Sequence, residues 1–485
     1  VAGANDPNVL GVNIFTNTIN VKNYRPWIDE SGNQINTVAL TDNNPFWVQF
    51  ENKNERRDSR FIGNFETAFS PIQELTFLAR LGYDYDQDSR LITNRVGTRS
   101  RATGDFTIDN INRTQFNIDA IATYFKTINS DLSIKVLAGY NFNRRVFRNE
   151  NLFAQGLSIP ELFSPSNALT SVPQRAFNER VLFGAYGEVD LSYKDWATLT
   201  LTARNDWSST LPKDNRSYFY PSASLAVVFT DALNMQSNFL SYGKLRLSAA
   251  QVGNDTNPYR LNFEFFPQPS ASGQYSLNQN FPFDGRLGFQ ATTTIPPENL
   301  KPEQQTSFEV GTELRFLDGR FGLDVSAFNT VNSNQILQTP IPPATGFRRK
   351  TLNVGEITNT GIEFTLDAKV LRTSNFEWST ILNFSHVESE VTSLAEGTEQ
   401  ILIASEFNSI QIVAVPGREY QIFAIPYLRD TITGKPVINP NTGLRQAGET
   451  KLFGSVLPDF TAGITNVLSY KGIVLSTTID MKWGG

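Results

Sequence analysis

Apolar and polar side chains alternate along this chain in stretches of a dozen or more residues. From Phe321, the residues Leu323, Val325 and Ala327 fall on one face and Gly322, Asp324 and Ser326 on the other. From Ile473, the residues Leu475, Ile479 and Met481 oppose Ser476, Asp480 and Lys482. A period of two predicts strands. About 14 residues rising roughly 3.3 Å each, tilted near 45°, climb on the order of 30 Å, enough to cross the apolar band of an outer membrane. Strands of soluble proteins are shorter, about 5 to 6 residues.

The pattern predicts fourteen strands, near 59–70, 74–86, 114–126, 132–147, 179–193, 196–207, 216–230, 241–251, 304–316, 320–332, 358–371, 376–388, 459–470 and 473–483. Tight connections fall at Ser70-Pro71, Ser130-Asp131, Lys194-Asp195, Asp318-Gly319, Arg372-Thr373-Ser374 and Lys471-Gly472, with a looser one near 231–238. Between them lie long connections near 87–113, 148–178, 252–303, 333–357 and 389–458 and a shorter one near 208–215. Short turns at one end and long loops at the other mark a transmembrane β-barrel, with the loops outside the cell. The fold class is therefore all-β, an antiparallel barrel wall, with 59–485 as the barrel segment and 1–58 as an extracellular loop or incomplete strand region.

The alternation also assigns faces. Leu199, Leu201, Val325, Phe364, Val370, Leu475 and Ile479 are expected toward lipid, and Arg204, Glu313, Asp324, Glu363, Asp367, Lys369 and Asp480 toward the lumen. Pro221 costs its strand a ladder hydrogen bond and belongs near the extracellular rim. Gly184 and Gly187 lie inside strand alternation, where they relieve crowding at a bend rather than cradle phosphate.

Composition narrows the class. The 485 residues hold no run of 18 apolar residues, which rules out a helical span and leaves a closed barrel as the route through lipid. The 37 Phe and 15 Tyr suit aromatic girdles at both interfaces. With no cysteine there are neither disulfides nor thiolate metal sites. A net charge of −6 with dispersed Lys and Arg speaks against nucleic acid. No signal peptide precedes Val1, so an exported barrel is expected to carry further sequence upstream.

Catalytic constellations are scarce. The single histidine, His386, is in register with Phe384 near the loop end of a strand and reads as an interface residue, so a Ser-His-Asp arrangement fails. The carboxylate pairs Glu188/Asp190 and Glu309/Glu313 read as lumen wall. Asp84 to Asp88 and Asn254 to Asn257 offer oxygen ligands but lack the spacing of an EF-hand loop, and no motif calls for a cofactor. The loop 252–303 interleaves Tyr259, Phe263, Phe265, Phe266 and Tyr275 with amides and hydroxyls. Together with Trp207 these rings are the candidate substrate contacts, able to stack on sugars or grip peptide side chains; the alternative is that they pack the loop or dock a partner.

Arg204-Asn205-Asp206-Trp207-Ser208-Ser209-Thr210-Leu211-Pro212, then Tyr218-Phe219-Tyr220-Pro221-Ser222 and Val228-Phe229-Thr230-Asp231, resemble the barrel of the SusC/RagA family of TonB-linked outer-membrane proteins. Further signposts follow in the family's order: Lys244-Leu245-Arg246, Gln251-Val252-Gly253-Asn254, Asn299-Leu300-Lys301-Pro302-Glu303, Asn353-Val354-Gly355, Asn359-Thr360-Gly361-Ile362-Glu363 and Leu457-Pro458-Asp459-Phe460. The resemblance implies a 22-stranded barrel in the outer membrane of a Gram-negative, Bacteroidetes-like bacterium. It implies an N-terminal plug, energy delivered through TonB, and a SusD-like surface lipoprotein closing over captured glycan or peptide. These residues match the middle of such a barrel, without plug or TonB box, and further strands are expected on both sides. A ladder joining 59–70 to 473–483 is therefore not expected. The function implied is TonB-dependent import of large nutrients without chemistry of its own. A passive porin or structural barrel, and a barrel-embedded hydrolase using His386, are the competing classes.

Overall fold

The computed structural model describes residues 25–35, 43–99, 101–235, 237–267, 286, 288–406 and 410–485. Fourteen strands form one antiparallel sheet whose spatial order is their order in sequence. They are β1 (Lys53–Ile72), β2 (Leu75–Asn94), β3 (Asp105–Thr127), β4 (Leu132–Leu157), β5 (Ala168–Tyr193), β6 (Ala197–Ser208) and β7 (Ser217–Val228). β8 (Leu240–Asn254), β9 (Glu303–Phe316), β10 (Phe321–Ser333), β11 (Glu356–Arg372), β12 (Phe376–Ser393), β13 (Phe460–Tyr470) and β14 (Ile473–Trp483) complete it. The order is linear, with β1 and β14 at its edges, so the joining ladder that was not expected is absent among the described residues. β14 is exposed along its whole length, as a strand with one neighbour must be.

Connections alternate between the two ends of this meander. One end carries 73–74, 128–131, 194–196, 229–239, 317–320, 373–375 and 471–472; the other carries 95–104, 158–167, 209–216, 255–302, 334–355 and 394–459. Two of the tight turns place both central residues at positive φ, Lys194 (48°) with Asp195 (59°) and Lys471 (44°) with Gly472 (88°). That conformation follows the right-handed twist of a hairpin.

Strand number matches the sequence reading, but several strands are longer. β3, β4 and β5 run 23, 26 and 26 residues, which shrinks the expected loops 87–113 and 148–178 to 95–104 and 158–167. At about 3.3 Å per residue and a tilt near 45°, 26 residues climb roughly 60 Å, more than twice an apolar band of about 25 Å. Beyond the band both faces are wet, so the apolar alternation stops while the hydrogen-bond ladder continues. The remaining long connections carry small sheets: 336–340 pairs with 349–353, which pairs with 294–295, and 401–406, 410–414, 421–424 and 451–455 form a four-stranded one.

Contacts divide the chain into two compact units. The first takes in the described residues of Val1–Thr67 with Ala79–Asp119 and Asn141–Val181. Its core holds Phe106, Ala154 and Leu157 against Leu91, Val96 and Phe163, and the buried Trp47 donates its indole N–H to Thr98 Oγ1 at 2.9 Å. The residues that offered oxygen ligands, Asp84, Asp86 and Asp88, share one face of β2 and are met by arginines: Asp84 by Arg60 at 2.6 Å, Asp86 by Arg113 at 2.8 Å, and Asp88 by Arg90 and Arg56 at 2.5 and 3.2 Å. No cluster of metal-ligating side chains occurs among the described residues. The second unit takes in Ala68–Leu78, Ala120–Tyr140 and the described residues of Leu182–Gly485.

In this second unit the registers separate the faces. Leu191, Leu199, Leu225, Leu247, Val310, Ala327, Ile362 and His386 stand directly opposite one another from β5 to β12. Three residues along, an odd step that changes face, Val228, Lys244, Glu313, Asp324, Thr365 and Asn383 form a row on the other face from β7 to β12. Every residue assigned by alternation lies on its expected face except Val370. A bulge between Lys369 and Leu371 drops Val370 out of the ladder and sets Leu371 opposite Trp378. Pro221 pairs with Ala203 of β6, and the ladder to β8 begins at Ser222, just past the residue that has no N–H to give.

Candidate functional site

The polar face is a wall on which many charges are paired across strands. Lys135 reaches Glu188 at 2.9 Å and Asp190 at 3.0 Å, and Thr200 donates to Asp190 at 2.6 Å. Arg246 binds Asp324 through both terminal nitrogens at 2.9 and 2.7 Å, while Arg315 bridges Glu313 at 3.1 Å and Asp367 at 2.5 Å. Arg204 pairs with the buried Asp206 at 2.8 Å, and Tyr220 donates its hydroxyl to the same carboxylate. Water reaches most of these groups, so each of the exposed pairs contributes at most about 1 kcal/mol. Their arrangement sets a hydrophilic surface rather than a reactive centre.

Glycines make room for it. A Cβ at Gly184 would overlap Arg204 and Asp206, one at Gly322 would overlap Arg315 and Asp367, and one at Gly139 would overlap the Tyr186 ring. The long side chains lie flat across the strands because the neighbouring position has none. The expected crowding relief thus holds at Gly184, whereas Gly187 would give a Cβ only an ordinary 3.5 Å contact.

At the long-loop end, a knot ties the connections to β6 and β9. Ser208 and Thr210 both donate to the buried Asp255, Asn215 donates to Leu300 O at 3.1 Å, and Glu303 accepts from Asn254 at 3.1 Å and from the Ile336 N–H at 2.8 Å. Asn353 accepts the Lys301 N–H at 2.7 Å and donates to Lys301 O at 2.8 Å. Leu211, Leu300 and Ile336 close the apolar centre of the knot.

The loop aromatics gather beyond it. Phe263 meets Phe265 edge-on at 5.3 Å and Phe347 edge-on at 6.1 Å. Phe265 and Phe266 stand opposite Ala291 and Gln290 in a short antiparallel pair of strands, and Tyr259, at φ 64°, begins the segment. All four sequence-predicted rings are well exposed. Tyr275 lies outside the described residues. Trp207 is not with them: it sits on the apolar face opposite Phe183, which stacks toward Tyr140 at 6.4 Å. His386 is also on that face. It is held by Asp459 O where the last long connection returns to the sheet, with Glu388 3.5 Å away.

Residues 4–459 match the family model described as TonB dependent receptor-like, beta-barrel. The chain belongs to this TonB-dependent receptor family. TonB-dependent receptor P3 of Formosa agariphila is 24% identical over 484 residues, covering 93% of this chain and 47% of that protein. TonB-dependent receptor SusC of Bacteroides thetaiotaomicron is 24% identical over 458 residues, covering 88% and 44%. The chain thus spans about half the length of the relatives it matches. Among solved structures, the RagAB peptide transporter superposes with a TM-score of 0.78 at 18% identity, over 94% of this chain and 51% of that one.

As a TonB-dependent receptor barrel, the protein resides in the outer membrane. The SusC/RagA signposts acquire a structural meaning. Ser208, Thr210, Leu211, Asn254, Asn299, Leu300, Lys301, Glu303 and Asn353 build the knot, so this set anchors loops. Phe347 was missed as a member of the aromatic cluster because it stands apart from 252–303 in sequence. The aromatic before the basic run Arg348-Arg349-Lys350 was the available signal.

Proposed function

We propose that this protein is the wall of an importer that takes up large nutrients, oligosaccharide or peptide, with energy supplied through TonB and with a SusD-like surface lipoprotein as partner. One observation carries the reading: a fourteen-strand, two-faced sheet of the TonB-dependent receptor family bears all its large connections at one end, with a polar face on which Arg246, Arg315, Asp324 and Asp367 are already paired. Such a wall lets a bulky polar solute pass without binding it tightly, while the loops do the selecting. Residues 59–485 act as the barrel segment, its first strand beginning slightly earlier at Lys53, and 1–58 as an extracellular loop or incomplete strand region. Substrate contact falls to Tyr259, Phe263, Phe265, Phe266 and Tyr275, and Trp207 serves the aromatic belt at the lipid interface. The protein transports without transforming its cargo.

The test is uptake of fluorescent oligosaccharides and peptides by cells carrying or lacking the gene. Accumulation that needs the gene and stops when the proton-motive force is collapsed supports the importer. Gene-dependent uptake that persists without that force makes the protein a passive barrel.

A further inference from the structure

The two connections that carry the aromatic cluster are stitched into one body. Thr292 N–H bonds to Glu264 O at 2.9 Å, Arg348 N–H bonds to Thr293 O at 2.8 Å, and Thr294 and Ile295 run parallel to Arg349 and Lys350. Phe347, in edge-on contact with Phe263, is followed directly by Arg348, Arg349 and Lys350, all exposed. In a chain of net charge −6, the connection 334–355 holds these three cations and no Asp or Glu. Across the described residues 259–267, 286, 288–295 and 336–353, the basic side chains are Arg260, Arg286, Arg348, Arg349 and Lys350, against the single carboxylate Glu264. Among the described residues none of the three consecutive cations enters an ion pair, unlike the arginines Arg246 and Arg315 of the wall.

Three adjacent like charges raise one another's energy, and an anion relieves them. Arginine pairs a planar fork with carboxylate or sulfate, and exposed phenylalanine faces stack on the C–H faces of sugar rings. We infer that the Phe263/Phe265/Phe347 cluster and the Arg348-Arg349-Lys350 run form one binding site for an anionic oligosaccharide bearing carboxylate or sulfate groups. This rests on the import reading, since it names the class of cargo the loops select. An acidic peptide is the poorer fit. The free edge 336–340 is only five residues long and runs into Pro340, Pro342 and Pro343, which have no N–H to offer a pairing strand.

The experiment is calorimetric titration of the purified full-length protein in detergent with an oligogalacturonate hexamer. A neutral malto-oligosaccharide of equal length, an Asp-rich hexapeptide and phosphatidylglycerol vesicles are titrated alongside. The site is supported if the uronate binds at least tenfold more tightly than the neutral sugar and loses at least tenfold on Arg348→Gln/Arg349→Gln/Lys350→Gln. It is further supported if Arg348→Lys/Arg349→Lys, which keeps the charge but loses the planar fork, weakens the uronate by less than the triple glutamine variant does, and if Phe263→Ala with Phe347→Ala weakens it too. Equal binding of the neutral sugar, no loss in the triple glutamine variant, or tighter binding of the peptide or the vesicles overturns it. Uptake that survives collapse of the proton-motive force removes the importer while leaving this binding result intact.

Discussion

Gly322 lies beneath the guanidinium of Arg315: a Cβ at 322 would fall inside the space of Arg315 Nη1, which is 2.5 Å from Asp367. Gly322→Ala should therefore cost about 1 to 3 kcal/mol, the usual range for overpacking, by pushing that ion pair off the wall. Gly187→Ala, whose Cβ meets only Leu137 O at 3.5 Å, should be neutral or slightly stabilising because it stiffens the unfolded chain. Urea unfolding from lipid vesicles checks both. Equal losses at the two sites would deny glycine its role as a saddle for the ion pair.

The register makes a second prediction. Leu199 lies in the apolar row and Thr200 beside it bonds Asp190 on the polar face. Leu199→Arg should destabilise by roughly 2 to 4 kcal/mol if near the bilayer midplane, and Thr200→Arg by less than about 1, since the new guanidinium gains water and a carboxylate. The measurement is refolding yield against urea in bilayers. Similar losses at both positions would mean that the two faces are not lipid and lumen.

Asp88 has a fully buried carboxylate between Arg56 and Arg90, whereas that of Asp58, also paired with Arg56, is 48% exposed. Asp88→Ala should cost about 1.5 to 3 kcal/mol, because a buried acceptor of charged donors is lost and two arginines are left to solvent. Asp58→Ala should cost less than about 1. Thermal unfolding followed by the shift in gel mobility of the folded barrel compares them, and a larger effect at Asp58 would overturn the assignment.

In the connection 394–459, Asp430 accepts from the Thr433 N–H at 2.7 Å, the Thr433 hydroxyl at 2.8 Å and the Ile432 N–H at 3.1 Å. These donors hold its carboxyl below the usual 3.8, the Thr433 N–H most strongly. A carboxyl with a lowered folded value stabilises its turn fully above the unfolded value and loses that contribution as pH falls through the folded value. Amide exchange at Ile432 and Thr433 should therefore be protected at pH 5 and lose protection below about pH 3.8, once intrinsic rates are corrected. Asp430→Asn should flatten the dependence, and protection unchanged down to pH 2 would show that the turn does not need the charge.

Much of the wall was legible from residue order alone. A period of two is local, so Leu199 against Thr200 or Val325 against Asp324 needs no knowledge of the neighbours, and fourteen strands with their two faces follow from it. Where neighbours decide, the pattern is silent. The bulge at Val370 depends on how β11 meets β12, and the upper halves of β4 and β5 persist on backbone pairing after the apolar signal has ended. The ordered motifs around Ser208, Leu300 and Asn353 announced a family, but only their convergence on Asp255 and Glu303 revealed an anchor for loops. Likewise the exposed rings of 259–266 were visible as candidates, while Phe347 and its three cations joined them through contacts between segments some eighty residues apart. Alternation along a strand is dictated by bond geometry; which strands and loops lie side by side is settled by the ladders and packing that folding brings together.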